Sequence, residues 1–474
     1  MPEMTEVSIA PLHAERFESV LPREQYQHFQ ERAEQARRLF SGRTVWNVNS
    51  TAIGGGVAEM LRSLLAYARG ADIDARWLVI AGTPEFFRVT KRIHNHLHGS
   101  SGDGGQLGSD EQALYAQALE PNGRELEMMV KPSDVVLLHD PQTAGLIPIV
   151  KRSGARVIWR CHIGLDMPNE LARQAWRFLL PFVSQADAYV FSRKTFAWEG
   201  LDAARTWVIP PSIDAFSPKN EELAPDTVRA ILMKSGVIAG DGDPGRPEFT
   251  RGDGSTGTVA NRAVMIEAAP APEDARLVVQ ISRWDALKDP VGVVEGFMRH
   301  VHDGVDAHLM LAGPAVEAIA DDPEGKAVLD QTIERWRSSD SEMRKRAHLA
   351  CLPMADREEN AAIVNALQRR AHIVVQKSVA EGFGLTVAEA MWKARPVVGS
   401  KIGGIQDQIR DGVTGVLLDD PRDLAEFGRK VTKLLKDDEL ARRLGRQAQL
   451  EVRDQFLGPR HLLQYVDLVA SLFD

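Results

Sequence analysis

Cysteine is almost absent from this chain: 474 residues contain two, Cys161 and Cys351, far apart in sequence. A disulfide framework is therefore excluded, as is any zinc or redox motif built on closely spaced thiols. Two reduced, buried thiols are expected. Long apolar runs are also missing, and none approaches the length that crosses a bilayer. The first residues, MPEMTEVSIAPLHAERF, show no basic segment leading into an apolar core, so no secretory signal is read and a cytoplasmic location is expected. A cationic excess is lacking too, since the formal net charge is −9. Nucleic acid and membrane are therefore not expected as partners. Any polyphosphate ligand must be held by a few local cations and by main-chain donors. The sequence shows neither a repeat period nor the composition of a disordered or collagen-like chain.

What is present is an alternation of short apolar runs with amphipathic stretches, the pattern of parallel βαβ units. In the first half the expected strands are Thr44–Asn49, Trp77–Ala81, Val135–His139, Val157–Cys161, Ala188–Phe191 and Trp207–Ile209, with helices such as Val57–Ala68, Thr143–Lys151 and Leu171–Phe182 between them. A second series runs through Leu277–Ile281, His308–Leu311, Leu349–Leu352, Ile373–Gln376, Val397–Ser400 and Val416–Leu418. The length and the two series predict an α/β chain of two Rossmann-like domains, 1–213 and 214–474. Ligands of such sheets bind beyond the carboxyl ends of the strands, so a site in a cleft between the domains is expected. The Gly-, Asp- and Pro-rich segment from about 235 to 257 reads as an exposed, mobile insertion, and Gly99–Ser109 as a loop. The last amphipathic stretch, about 455–474, reads as a helix able to pack back onto the first domain.

The strongest chemical signal is Glu381-Gly-Phe-Gly-Leu-Thr-Val-Ala-Glu389, directly after the buried strand Ile373–Gln376. Gly382 and Gly384 permit a tight turn and a close ligand approach, and a helix beginning near Leu385 offers free N–H groups to an anion. Glu381 is expected in the loop and Glu389 one turn inside the helix, both able to accept hydrogen bonds from sugar hydroxyls. Just past the first strand of the same domain stand Arg283 and Lys288. Two cations beside a helix N-terminus are what a departing diphosphate requires. Alone, each motif reads as a surface feature; together they describe a site.

In the first domain, Thr44–Asn49 leads into Ile53-Gly54-Gly55-Gly56-Val57-Ala58-Glu59, three glycines between a strand and a helix. This suits a phosphate or sugar approach and equally a plain structural turn, and it is not the GxGxxG dinucleotide fingerprint. His162, just after the strand Val157–Cys161, is a candidate for a sugar hydroxyl or, through its main-chain carbonyl, for positive charge at the anomeric centre; the competing reading is a core histidine. Asp140 and Gln142, after the neighbouring strand, are acceptor-side candidates, as is Glu59. His94, His96 and His98 have no metal-site spacing or carboxylate partner, so no metal is expected there. No cofactor is expected to be tightly bound; Mg²⁺ is neither implied nor excluded.

These residues resemble the retaining GT-B glycosyltransferases of family four, and the resemblance runs through nearly the whole chain. It implies that Arg283 and Lys288 bind the diphosphate, that Glu381 meets the donor sugar's hydroxyls and Glu389 the ribose. Main-chain groups around Phe383, Gly384 and Leu385 would hold sugar and phosphates, Gly55 and Gly56 would face the diphosphate, and His162 the donor glucose. Longer segments, among them NSTAIGGGVAEML, LLHDPQTAGLIP, VIPPSID, ENAAIVNALQRRA and VVQKSVAEGFGLTVAEAMWKARPVV, look like the trehalose glycosyltransferring synthases and the related trehalose phosphorylases. That narrower likeness implies nucleotide diphosphate glucose and glucose or trehalose as the ligands, with transfer to free glucose giving α,α-trehalose. A phosphorylase using glucose 1-phosphate, a transferase with another acceptor and a non-catalytic sugar- or nucleotide-binding regulator remain the alternatives. The nucleotide, the preferred direction and a homodimer are left open.

Overall fold

The computed structural model describes residues 4–53, 55–301, 305–316 and 323–473, so Gly54 of the glycine loop lies outside it. The chain forms two compact units, one of Met1–Ser212 with Phe456–Asp474 and one of Ile213–Gln455. In the first, strands β1 (Thr5–Glu6), β2 (Thr44–Asn49), β3 (Asp74–Val79), β4 (Val135–His139), β5 (Arg156–Cys161), β6 (Ala188–Phe191) and β7 (Thr206–Val208) build one sheet. Their spatial order is β1-β3-β2-β4-β5-β6-β7, parallel throughout except for β1, which runs antiparallel to β3. The central strands β4 and β6 are buried at every position, which explains why they read as continuous apolar runs without alternation.

The second unit carries β10 (Val264–Ile266), β11 (Arg276–Ile281), β12 (Ala307–Pro314), β13 (Ala347–Leu352), β14 (Ile373–Gln376), β15 (Val397–Ser400) and β16 (Val416–Leu418), in the order β10-β13-β12-β11-β14-β15-β16. Apart from the antiparallel edge strand β10 this is the 3-2-1-4-5-6 arrangement of a Rossmann sheet. The order reverses between β11 and β14, and the loops leaving those two strands are the ones that carry Arg283, Lys288 and Glu381.

One feature departs from the sequence reading and another follows it. The segment from 235 to 257 is not plain linker: β8 (Glu248–Thr250) and β9 (Thr256–Thr258) pair as a hairpin, with the Gly-Asp-Gly residues forming its turn. Arg251 pins the hairpin to Asp356 (2.6 Å) and Glu358 (3.1 Å), and Phe249 is buried. Glycine and aspartate have the same composition in a tight turn as in a linker, which is why the pattern misled. The second feature is the last helix, Gly458–Ser471, which is an integral part of the first unit's core. Its Val466, Leu468 and Val469 pack with Ala36 and Phe40 and with Leu137 of β4. Its Arg460 donates to the carbonyls of Pro210 (2.8 Å) and Pro211 (2.9 Å), and burial lowers that guanidinium to about 9.

Candidate functional site

In the second unit the two switch-point loops are sewn together before any functional side chain is considered. Val379 donates its N–H to the carbonyl of Leu287 at 2.8 Å. Gln280, buried at the end of β11, donates to the Lys288 carbonyl (2.9 Å) and accepts from the Lys377 N–H (3.3 Å). Lys377 is fully buried and ion-paired with Asp289, whose left-handed φ of +49° lets its carboxylate cap the helix Pro290–His300 through the Gly292 N–H (3.0 Å). Burying a lysine is costly unless it is paired, so this bridge fixes the loops rather than decorating them.

On that frame Lys288 Nζ meets Glu381 Oε2 at 2.7 Å, with the two side chains 17% and 11% exposed, and Ser378 Oγ donates to the same oxygen at 3.3 Å. Two candidates separated by 93 positions thus share one contact. Arg283 does not join them: it is 64% exposed and bonds Asp285 at 3.1 Å. Gly384, at φ +85°, opens the helix Leu385–Trp392; the Val387 N–H turns back to the Gly384 carbonyl at 2.9 Å, and the N–H groups of Leu385 and Thr386 lie in the turn where helix geometry supplies no acceptor. Phe383 is buried beside it. Glu389 stands one turn in, as the spacing predicts, but its carboxylate is only 2% exposed. Its neighbours are Lys219 Nζ at 3.6 Å and Gln368 Nε2 at 3.5 Å, not Lys288 or Glu381. Spacing along the helix fixes where Glu389 stands but carries no sign of Lys219, 170 positions away in sequence, beside its carboxylate.

Gly403 and Gly404, just after β15, were not singled out in the sequence. Gly404 donates to the Gly382 carbonyl (3.0 Å), and a Cβ on Gly403 would stand 1.8 Å from the Glu381 carbonyl oxygen. Gln408 donates to the Phe383 carbonyl at 2.6 Å. The available signal was a Gly-Gly pair following a fully buried strand, the same signal that marked Gly382 and Gly384. Gly403→Ala must also adopt φ +45°, so a destabilisation on the order of 3 kcal/mol is expected. Weaker binding of any ligand held at the Glu381 turn should accompany it. Thermal unfolding and titration calorimetry on the variant check both.

In the first unit the candidates follow β2, β4 and β5. Asn49 shapes the turn into the glycine loop, accepting from Trp77 Nε1 (2.9 Å) and donating to the Thr51 carbonyl (2.7 Å). Gly55 takes φ +80° and, with Gly56, opens the helix Gly55–Gly70, on which Glu59 is exposed. Asp140 stands at φ +64°, rare for a residue other than glycine, and its carboxylate accepts the main-chain N–H of His162 at 2.8 Å. Burial pushes this carboxyl up to about 7 against the opposing pull of that N–H and of Arg160. Gln142 Oε1 is buried with no hydrogen-bond partner among the described residues.

The His162 ring is already engaged. Its Nε2 lies 3.3 Å from His139 Nδ1 and its Nδ1 lies 3.5 Å from Arg160 Nε. Burial holds His162 well below the usual histidine range, helped by Arg160 and His139, and burial with Arg160 takes His139 down to about 3. A sugar hydroxyl bonded to the ring, as the sequence allowed, would have to displace one of these partners; the main chain of His162 is the part left to meet a ligand. His139 and Arg160 therefore belong to the site although neither was a candidate. Their signal was position alone, each lying within two residues of a candidate at a strand end.

His94 and His98 pack edge to face with ring centroids 4.9 Å apart, while His96 is buried and lowered by that burial. Among the described residues no group of three or more His, Cys, Asp or Glu side chains is placed to hold a metal ion. No helix among them is long and apolar enough to cross a membrane.

Two Rossmann-like domains, with a cation–carboxylate pair and a glycine-opened helix at the switch point of the second, define a GT-B glycosyltransferase. Residues 47–198 match the family described as trehalose synthase, N-terminal domain, and residues 261–451 match glycosyl transferases group 1. The chain is 34% identical to a trehalose synthase of Pyrococcus horikoshii over 100% of its own length and 99% of that protein's. It belongs to the trehalose synthase family. Trehalose phosphorylase of Pleurotus sajor-caju is more distant, at 26% identity over 78% of this chain and 50% of that one. Among solved structures, an α,α-trehalose-phosphate synthase (UDP-forming) of Burkholderia xenovorans shares the fold with a TM-score of 0.65 at 14% identity, covering 91% of this chain and 100% of that one.

Proposed function

We propose that the protein is a retaining glucosyltransferase that moves glucose from a nucleotide diphosphate glucose to free glucose, giving α,α-trehalose. The observation that carries this reading is the Lys288–Glu381 contact at the switch point, beside the helix opened by Gly384. Lys288 and the amides of Leu385 and Thr386 supply positive charge where a diphosphate leaves, and the exposed Arg283 closes over it on exchanging its Asp285 partner for the phosphate. Glu381 accepts from the donor sugar's hydroxyls and Glu389 from the ribose once Lys219 gives way. Main-chain groups of Gly55, Gly56, Phe383, Gly384 and Leu385 line the phosphates and sugar. His162 meets the donor glucose, and Asp140, Gln142 and Glu59 take the acceptor. The unpartnered Gln142 Oε1 supports that last assignment, since a buried acceptor gains most from a hydroxyl donor.

The bond from the anomeric carbon to the diphosphate oxygen breaks, and the acceptor oxygen bonds the same carbon on the same face. The acceptor's proton passes to the departing phosphate oxygen. The protein's contribution is then orientation and charge stabilisation, with no tightly bound metal assigned a part. Relatives resembling it over nearly the full length are synthases, and the matches to phosphorylases are weaker and span about half of those proteins, which favours a nucleotide sugar over glucose 1-phosphate.

Incubation with glucose and, in turn, ADP-, UDP- and GDP-glucose, with glucose 1-phosphate in parallel, should yield trehalose and free nucleoside diphosphate from at least one nucleotide donor. Trehalose from glucose 1-phosphate alone would replace this reading with a phosphorylase. The absence of any disaccharide would overturn it.

A further inference from the structure

Arg160, His162, His139 and Asn47 form an unbroken chain of polar contacts across the ends of β5, β4 and β2. Arg160 Nε is 3.5 Å from His162 Nδ1, His162 Nε2 is 3.3 Å from His139 Nδ1, and His139 Nε2 is 3.0 Å from Asn47 Oδ1. The direction of the chain follows from its first member. A guanidinium N–H only donates, so His162 Nδ1 must be the bare, accepting nitrogen. A neutral His162 then carries its proton on Nε2 and donates to His139 Nδ1. His139 in turn carries its proton on Nε2 and donates to the Asn47 carbonyl oxygen. Turning the Asn47 amide over would reverse both rings and set two donors face to face at Arg160, so only one orientation satisfies every contact.

The anchor is itself immobile. Arg160 is fully buried, and its Nη1 donates to the Ile209 carbonyl at 2.7 Å and its Nη2 to Ser192 Oγ at 3.4 Å. At the other end Asn47 is 3% exposed on β2. The chain therefore starts and finishes on sheet residues that cannot turn, and the one partly buried member between them is His162. Its main chain is fixed separately, by the N–H donated to Asp140.

We propose that Asn47, His139 and Arg160 are positioning residues that lock His162 as an Nε2–H imidazole, so that its ring takes no part in proton transfer and the residue presents only its main chain to the substrate. The inference rests on the reading of His162 as part of the donor-sugar site, but the tautomer it specifies holds independently of that reading. His139 thereby acquires a role that neither its spacing nor its burial announces. It supplies the acceptor that stops the His162 ring from rotating, a constraint worth having when a displacement of about 1 Å at a reacting centre costs on the order of 100-fold in rate.

Two measurements test it. Long-range ¹H–¹⁵N correlation spectra of the full-length wild-type protein, labelled at histidine, should show both His139 and His162 as Nε2–H tautomers that do not change between pH 6 and 9. An Nδ1–H tautomer at His162, or a ring that titrates in that range, overturns the proposal whether or not the protein makes a disaccharide. In the second arm, His139→Leu removes the acceptor, and kcat with the active nucleotide sugar should fall at least tenfold while the donor KM stays within about twofold. His139→Asn, which restores an oxygen near the Nδ1 position, should recover most of that loss. Equal losses in the two variants, or a change confined to KM, would contradict a positioning role. Failure of the functional reading is separable: it removes the kinetic arm by removing the product, and leaves the tautomers to decide.

Discussion

Lys288→Ala is expected to lower turnover by roughly 10²–10³-fold while the protein stays folded, which is the range seen when one preorganised donor is taken from developing charge. The argument is local. Lys288 Nζ is 2.7 Å from Glu381 Oε2, and both side chains are mostly covered, so the pair sits where water screens poorly. In the proposed reaction, removing the ammonium takes away the charge that faces the departing diphosphate. It also strips Glu381 of its ion partner, leaving Ser378 Oγ as the remaining donor to that oxygen. The stability cost should be small by comparison, about 1–3 kcal/mol, because Gln280 holds the Lys288 main chain rather than its ammonium. Lys288→Arg keeps the charge but not its point geometry, and should recover only part of the rate. Steady-state kinetics alongside thermal unfolding separates the two effects. Near-normal turnover in Lys288→Ala would remove the second unit's site from the reaction, and with it the proposed donor side.

How much of this was legible beforehand depended on whether the information was local. Thr44–Asn49, Val135–His139, Ala188–Phe191, Ile373–Gln376, Val397–Ser400 and Val416–Leu418 emerge as strands with the very bounds read from the sequence. For Val135–His139, Ala188–Phe191, Ile373–Gln376 and Val397–Ser400, buried at every position, the reason is that a strand buried on both faces reads as a short, mainly apolar run. The two antiparallel edge strands were missed because they are too short to register: Thr5–Glu6 is two residues long and exposed, and Val264–Ile266 is an apolar run of only three residues. Lys288 and Glu381 could be paired in thought because each follows a strand, and strand ends converge at a switch point. Gly403 could not, since its importance lies in the Glu381 carbonyl that would collide with its Cβ, a contact made only by folding. Lys377 is a similar case. Its sequence neighbours suggest a surface lysine, and only the Asp289 carboxylate beneath it makes full burial tolerable.

Asp140 brings strain, burial and chemistry to one position, and Asp140→Asn should make the protein more stable and less active. The carboxyl is pushed up to about 7 by burial, so between about pH 4 and 7 the folded state retains a proton that the unfolded chain has already released. The native form is thus favoured at acid pH, and that advantage is lost as pH rises through 7, where the carboxylate is charged in a poorly solvated place. Asparagine carries no charge to desolvate. Its oxygen can still accept the His162 N–H now bonded at 2.8 Å, and it tolerates the φ of +64° nearly as well as aspartate. The gain should therefore be near zero at pH 4, grow through pH 7 and then level off on the order of 2–4 kcal/mol, several degrees in Tm. Turnover should fall at the same time, because in the proposed reaction the acceptor hydroxyl loses the charged oxygen it would donate to. Asp140→Ala separates the contributions: it gives up the bond to His162 and suffers at the left-handed φ, so it should be destabilised at every pH. Thermal melts of the three proteins from pH 4 to 9 decide the matter. A wild-type stability curve parallel to that of Asp140→Asn would mean the carboxylate is ionised at no cost, and the strained corner after β4 would then have to be explained by packing alone.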